Sequence, residues 1–314
     1  MNGVPDVPVH RPSDRAANRL PEGQVNRLRY AFYPGCTAHA SARDYTRSTY
    51  ATFRALGIEL EEVPGWSCCG STAVSNVDPL LGMALSARNL ALAESTGLDL
   101  AVTCNACYAN LAPTLEAYRE ERRVRDRLQR VLDAVDRHLE AEREVKHGVH
   151  ILTHDLGLDQ VEERVRRPLD GVKAVPYYGC LLSRPRNPYE DPENPTSLDE
   201  LLASLGAEVL PFERKTKCCG GSFMNTKEEV ALRLTFEILE EARERGAHLI
   251  VCACAMCQLN LDAYRGKLRA RYGTYHDTPV LYFTQAVGLA LGLGCRDLAI
   301  GQSFVPADRL LGLR

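Results

Sequence analysis

The sequence predicts an α/β protein of two pseudo-symmetric halves, each with a small, mainly parallel sheet flanked by helices. Three observations carry that prediction. Lys217-Cys218-Cys219-Gly220-Gly221-Ser222 repeats Ser67-Cys68-Cys69-Gly70-Ser71 at a distance of 150 positions. Each vicinal pair is preceded by a single cysteine, in Tyr33-Pro34-Gly35-Cys36 and Tyr177-Tyr178-Gly179-Cys180, and followed by a Cys-x-x-Cys, Cys104 with Cys107 and Cys254 with Cys257. Between these cysteines, short apolar runs alternate with helical stripes, the mark of strand-then-helix units. The chain is therefore an internal duplication, with five cysteines per copy in one order.

Residues 1–27 mix Pro, Asp, Arg and Asn without apolar periodicity and are expected to form a mobile tail. Leu28 to Tyr33 reads as a strand that ends at Pro34-Gly35 and delivers Cys36 to a loop. A helix through Phe53 closes at Leu56-Gly57, and a strand near Ile58 to Val63 leads into Cys68-Cys69. Leu80, Leu81, Ala84, Leu85, Ala87 and Leu92 then recur at helical spacing, with Gly97 placed to stop the helix. Leu98 to Thr103 is a buried-looking strand, and a helix begins at Cys104-Asn105-Ala106-Cys107. Open α/β sheets build their sites at such carboxyl ends of strands.

Glu116 to Lys146 reads as one long amphipathic helix with a stripe of Val124, Leu128, Val131, Leu132, Val135 and Leu139, packed on the sheet or presented to another protein. Val149 to Thr153 opens the second half, followed by a helix near Leu158 to Leu169 and a strand Val172 to Tyr177. After the turn-rich Asp191-Pro192-Glu193-Asn194-Pro195, Thr196 or Ser197 is the expected N-cap of a helix to Leu205-Gly206. The first half's order then repeats: a strand to Phe212, Cys218-Cys219, a helix ending at Gly246, a strand His248 to Val251, and a helix from Cys254-Ala255-Met256-Cys257. Val280 to Leu293 reads as a strand or loop entering an apolar helix. The expected domains are 28–147, with the long charged helix, and 148–314, with the C-terminal segment.

Composition narrows the function. A chain of 314 residues, 45% hydrophobic and 25% charged, is long enough for two domains of about 150 residues. A net charge of -3 provides no basic field, which sets nucleic acid aside. No apolar run approaches the roughly 20 residues that span a bilayer, the N-terminus lacks the apolar core of a secretory signal, and the expected location is the cytoplasm. Twelve cysteines in so long a chain do not read as a disulfide framework. Adjacent Cα atoms about 3.8 Å apart would also strain a bridge between neighbours such as Cys68 and Cys69. Metal or cluster ligation is the better reading.

In the first copy 31 residues separate Cys36 from Cys68 and 34 separate Cys69 from Cys104; the second copy has 37 and 34. Five thiolates exceed the ligands of a tetrahedral zinc site, and the spacing is not that of a zinc ribbon, although zinc stays as the alternative. Iron-sulfur clusters are held by thiolates, and a fifth suits a cluster larger or more open than a cube. Gly70, Gly220 and Gly221 would let backbone N–H groups approach sulfur, or serve only a tight turn. Asn110 and Asn260 share helix faces with Cys107 and Cys257, placed for a hydrogen bond to a cluster sulfur or for a helix-local contact. Cys252 and Cys295 fall outside both sets and read as buried free cysteines. His39 is a candidate proton donor or a surface histidine. Arg184 and Arg186, beside Cys180, would meet an anionic substrate or form ordinary salt bridges.

The order Cys, Cys-Cys-Gly, Cys-x-x-Cys, present twice, resembles the cysteine-rich CCG domain, and residues from about 28 to 294 resemble the B-subunit family of heterodisulfide reductase. Val145-Lys146-His147, Tyr177 through Pro185, and Asp191-Pro192-Glu193-Asn194-Pro195-Thr196 share in that resemblance; the gap of 34 is at or just below the family's usual spacing. The resemblance implies a catalytic component with two noncubane four-iron, four-sulfur clusters facing each other across a pseudo-twofold cleft. It assigns Cys36, Cys68, Cys69, Cys104 and Cys107 to one cluster and Cys180, Cys218, Cys219, Cys254 and Cys257 to the other. It further implies a disulfide or sulfur-carrier substrate, as with the disulfide of coenzymes M and B in the methanogen enzymes. The sequence carries no nicotinamide or flavin motif, so electrons would arrive from elsewhere; the resemblance implies a ferredoxin-like subunit with cubane clusters, itself fed by a flavin subunit. CCG domains also occur in glycolate- and lactate-oxidising complexes and in a quinone-linked succinate dehydrogenase type, so a non-catalytic electron relay is the other reading, beside a zinc-stabilised scaffold.

Overall fold

Tyr30, Ala31, Phe32 and Tyr33 are all fully buried, so β1 (Leu28–Tyr33) has lost the in-out alternation of a half-exposed strand. Such a strand must be covered on both faces, as in a parallel α/β sheet. The computed structural model describes residues 28–184, 187–307 and 312; the expected tail 1–27 and Arg186 lie outside them. After β1 come α1 (Arg43–Ala55), β2 (Ile58–Glu62), α2 (Ser71–Val77), α3 (Pro79–Glu94), β3 (Leu100–Val102), α4 (Asn105–Glu120), α5 (Arg122–Asp133) and β4 (Val145–His147). A helical segment follows, α6 (Gly148–His150), a π-helical stretch Ile151–Gly157 and α7 (Leu158–Glu162). The second half runs β5 (Lys173–Tyr177), α8 (Cys180–Ser183), α9 (Ser197–Ser204), β6 (Glu208–Val209), α10 (Glu228–Glu244), β7 (Leu249–Cys252), α11 (Ala255–Ala263), α12 (Arg265–Tyr272), β8 (Val280–Tyr282) and α13 (Phe283–Ala290).

The two sheets have the same order, β2-β1-β3-β4 and β6-β5-β7-β8, and every described pairing is parallel. Two halves of one α/β plan are thus present, as the duplication requires. The registers correspond: Ala31 lies opposite Leu100 on β3, and Ala174 opposite Leu249 on β7.

The halves exchange their last helices. Apolar α13, which follows the final strand of the second sheet, packs on α1 of the first half, while α6, the π-helical stretch and α7 pack on α9 of the second. Thr52 Oγ1 donates to the Thr284 carbonyl at 2.7 Å, and Ser48 and Thr284 share a hydroxyl contact at 2.7 Å, all fully buried. Gly288 lets α13 come this close. A Cβ there would lie 2.7 Å from Thr52 Oγ1 and overlap Leu298.

Two expectations need correction. Residues 116–146 do not form one helix: α4 ends at Glu120, α5 at Asp133, and the chain then straightens into β4. Tertiary hydrogen bonds outweigh the stripe there. The Glu94 carboxylate takes the amides of Glu140, Ala141 and Glu142, Asp99 takes that of Glu144, and Val131 and Val135 are left exposed. Residues 149–153 are helical, and the helix placed over 158–169 stops at Glu162, where Arg166 and Arg167 donate their amides to the Ala290 carbonyl. Thr196 is the N-cap residue of α9, as expected; in place of its own side chain, the Glu190 carboxylate receives the Thr196 amide at 3.0 Å and the Ser197 hydroxyl.

Overpacking at the exchanged helix is expected to cost about 1–3 kcal/mol. Gly288→Val should lower the denaturant midpoint accordingly, whereas an unchanged midpoint would show that α13 can shift without penalty.

Candidate metal centre

In each sheet the strand order reverses between the first and third strands, β1 and β3 or β5 and β7. The crevice outside the carboxyl ends at such a reversal is where open α/β folds place their sites. Cys36 follows β1 and Cys104 follows β3; Cys180 follows β5 and Cys254 follows β7. Cys104 and Cys254 sit at the N-caps of α4 and α11, so Cys107 and Cys257 turn back toward them from the first helical turn. None of the twelve cysteines is disulfide-bonded.

The thiols meet in pairs. Cys36 Sγ lies 3.8 Å from Cys68, Cys69 lies 3.6 Å from Cys107, and Cys219 lies 3.6 Å from Cys257. Cys180 hydrogen-bonds to Cys218, and Cys104 reaches both Cys107 and, in the other half, Cys254. Among the described residues no three His, Cys, Asp or Glu side chains close around a single-ion position. Anchors grouped in pairs suit a larger, multi-iron group, and the donors are thiols alone, which favours iron-sulfur binding over hard-cation chemistry.

The electrostatics agree with a bound cationic group. Hydrogen bonding from Cys107, then from Asn110, holds Cys69 down at about 6 against its burial. Cys180, then the Gly220 N–H and the Arg184 charge, hold Cys218 at about 6. Their partners carry the opposite shift: Cys107 and Cys180 are pushed up by hydrogen bonds to neighbouring cysteines and by burial. Thiols that hold one another's protons release them when a metal group binds.

Glycine makes room for sulfur twice per copy. Gly35 and Gly179 have φ of 80° and 70°, and a Cβ on either would sit 3.0 Å from Cys107 Sγ or 3.1 Å from Cys257 Sγ. Gly70 and Gly220, at φ of 86° and 82°, aim their amides at Cys68 and Cys218 from 3.4 and 3.3 Å. Gly221 lies against Cys219, where a Cβ would be 3.5 Å from Sγ.

The two asparagines differ. Asn110 Nδ2 reaches Cys69 Sγ at 3.4 Å, as well as the Ser71 carbonyl at 2.9 Å. Asn260 Nδ2 instead donates to the Cys219 carbonyl and to Thr235 Oγ1, so it braces the vicinal pair through the backbone and not through sulfur. Arg184 is exposed and near Cys218. The His39 side chain and all of Arg186 lie outside the described residues. Cys252 is buried with its thiol 3.7 Å from the Cys254 carbonyl, and Cys295 is half-buried.

Sequence reasoning missed the residues on the pseudo-twofold axis. The Tyr45 hydroxyl lies 2.8 Å from the Thr103 carbonyl and 3.1 Å from the Ala253 carbonyl, one residue before each inner cysteine. Its ring stacks on Tyr282 with centroids 3.9 Å apart. Asn105 crosses the axis too, its Nδ2 donating to the Tyr178 carbonyl and its backbone N–H to Cys254. Buried His147 faces the same two carbonyls and Cys254. Asn105, inside the Cys-x-x-Cys, and His147, in Val145-Lys146-His147, had a signal in the sequence, and Tyr45 and Tyr282 had none.

The family model described as CCG, cysteine-rich domain, matches residues 30–112 and 174–262, one segment around each set of thiols. This chain belongs to the CCG cysteine-rich domain family. Over its CCG segments and beyond, it is 33% identical to the 8-methylmenaquinol:fumarate reductase membrane anchor subunit of Wolinella succinogenes, across 90% of this chain and 98% of the relative. It is 31% identical to a heterodisulfide reductase B-subunit-like protein of Archaeoglobus profundus, across 90% of this chain and 97% of that one. A hypothetical protein from Helicobacter pylori shares the fold of this CCG chain at a TM-score of 0.72 and 15% identity, over 88% of this chain and 52% of that one. Among the described residues, no helix of the CCG chain is long and apolar enough to cross a membrane.

Gly35→Ala and Gly179→Ala each force a side chain into a positive-φ backbone against sulfur, at an expected cost of about 1–3 kcal/mol. Thermal unfolding of each variant should show it, and a wild-type midpoint for both would mean that the loops relax freely. Burial also holds His147 and His150 at about 3. With folded values below the unfolded value of 6.5, their stabilisation is complete above pH 6.5 and is lost as pH falls toward 3. The loss is about 1.4 kcal/mol per pH unit for each ring. Urea titrations from pH 6 to 4 should show this slope, and His150→Phe should make it shallower.

Proposed function

We propose that the chain is the catalytic iron-sulfur component of a heterodisulfide reductase-like complex, reducing or reversibly forming a disulfide between two noncubane four-iron, four-sulfur clusters. The observation that carries this reading is the pair of complete five-thiol sets meeting at Cys104 and Cys254 on the axis between two like sheets. Each copy, 28–147 and 148–314, would hold one cluster through its own five cysteines. Each cluster would supply one electron and an iron site for one leaving sulfur. The protein's own part is to hold and shield: the Gly70 and Gly220 amides offset charge on Cys68 and Cys218, and Asn110 donates to Cys69. Arg184 stands near Cys218 to meet an anionic group on the substrate. Electrons would arrive from a ferredoxin-like subunit with cubane clusters and, behind it, a flavin subunit, with the complex in the cytoplasm.

A second reading is electron relay within a quinone-linked complex, favoured by the 33% identity to the fumarate reductase subunit. Anaerobically isolated protein is expected to carry about eight irons and eight sulfides per chain, two four-iron clusters in all. Stoichiometric zinc would leave a scaffold. With a viologen donor, Cys69→Ala and Cys219→Ala should each lose the cluster of their own half and all disulfide cleavage. Turnover near wild type in either variant would make the chain a relay with a single working centre.

A further inference from the structure

His154 and His150 on the exchanged helical segment, and His147 at the end of β4 where that segment begins, succeed one another from the surface toward the axis. His154 is exposed, whereas His150 and His147 are fully buried. Ring centroids are 6.0 Å apart from His154 to His150 and 5.9 Å from His150 to His147. The segment widens to π geometry at Ile151, a departure frequent at functional sites.

Hydrogen bonding to the buried rings is sparse. Both nitrogens of His150 are buried without a well-formed hydrogen bond, and Nε2 of His147 is buried beside the Thr103 and Ala253 carbonyls without one. A buried polar atom left unsatisfied costs about 1–3 kcal/mol, so such atoms on adjacent rings call for a reason. His147 Nδ1 accepts the Val149 amide at 3.3 Å, which assigns the proton of the neutral ring to Nε2, the nitrogen left unpaired. His150 Nε2 stands 3.4 Å from Glu190 Oε1, whose carboxyl burial pushes up.

The surroundings are otherwise spoken for. Tyr108 of α4 meets both buried rings edge-on, and Tyr189 stacks on His150 at 4.8 Å. Asp155 is held by Lys146 at 2.9 Å and by Tyr30 at 2.6 Å, and Lys146 lies 3.7 Å from Asp99. Phe283 closes the far side of His147. Cys254 is the thiol that His147 faces.

We propose that His154, His150 and His147 form a proton path from solvent to the place where the two thiol sets meet, with the Glu190 carboxyl group beside the middle ring. Imidazole accepts a proton at one nitrogen and releases one from the other, so a neutral ring relays without standing charge at neutral pH. The role rests on the disulfide reading above. Cleavage balances as R–S–S–R′ + 2 e⁻ + 2 H⁺ → RSH + R′SH: the S–S bond breaks, both sulfurs are reduced, and each gains a proton. The electrons come from a low-potential one-electron donor protein, and the protons arrive through the three rings.

The test needs no disulfide. Oxidised, cluster-loaded full chain is mixed with reduced methyl viologen, which carries no proton, in weakly buffered solution containing a pH-indicator dye. Wild type is expected to take up protons as the viologen bleaches, onto the cysteine thiolates of the two sets, which each added electron makes more basic. His150→Phe, which keeps ring volume and the Tyr189 stack, should take them up about 10²-fold more slowly. His154→Leu, at the exposed end, should slow uptake as well. Added imidazole should restore His150→Ala and not His150→Phe, which a merely structural role would not produce. Uptake at the wild-type rate in His150→Phe and His154→Leu, no uptake by wild type, or no rescue of His150→Ala would each overturn the path. If wild type takes up protons yet cleaves no disulfide, the disulfide reading fails while the path stands.

Discussion

Two carbonyls, of Thr103 and Ala253, share one donor in Tyr45, and the rest of the site depends on that sharing. Each carbonyl ends a strand one residue before an inner cysteine, so a hydroxyl that reaches both fixes the distance between the two strand ends. A buried carbonyl without a donor is costly, which makes the separation hard to change. Tyr282 stacked on Tyr45 and the Ser48 and Thr284 contact lock the donor from the opposite half. Cys104 and Cys254 can therefore meet although 149 residues lie between them.

The helix exchange makes this geometry mutual. With α13 on α1 and the α6–α7 segment on α9, neither half can turn about the axis without breaking apolar packing made by the other. A metal-loaded site gains from such rigidity, since ligands already held in place lose little entropy on binding. The halves are nevertheless unequal. Cys36 and Cys68 are exposed where Cys180 and Cys218 are half-buried, and in the second copy the Arg184 charge bears on Cys218. Asn105, from the first copy, donates to a cysteine of the second, where Ala255 occupies the matching place. Duplication supplied one architecture, and later substitutions at the mouth and on the axis made two environments of it.

Much of this was legible in the chain itself. The order of the cysteines revealed the repeat, and the apolar runs before Cys36, Cys104, Cys180 and Cys254 placed four of them at strand ends, because strands read locally in period and composition. The glycines beside each vicinal pair carried a backbone meaning that the positive φ angles at Gly70 and Gly220 bear out. The segment 134–147 was misread because its apolar stripe is real while its fate is set by Glu94 and Asp99, which lie at least 45 residues away for every amide they bind. Asn110 and Asn260 look equivalent in sequence, yet only one reaches sulfur, since Thr235 draws the other toward α10.

The sequence by itself determined the repeat, the α/β class, the family and the ten thiols, for these reside in residue type and spacing along the chain. Tertiary structure alone decided that the two sets meet at Cys104 and Cys254, that each half's last helix belongs to the other, and that three histidines succeed one another from the surface toward the axis. The physical reason is that periodicity specifies which face of an element is buried and not what covers it. Tyr45 and His150 have no motif around them, and their roles arise from hydrogen bonds and ring contacts between segments that no local pattern connects.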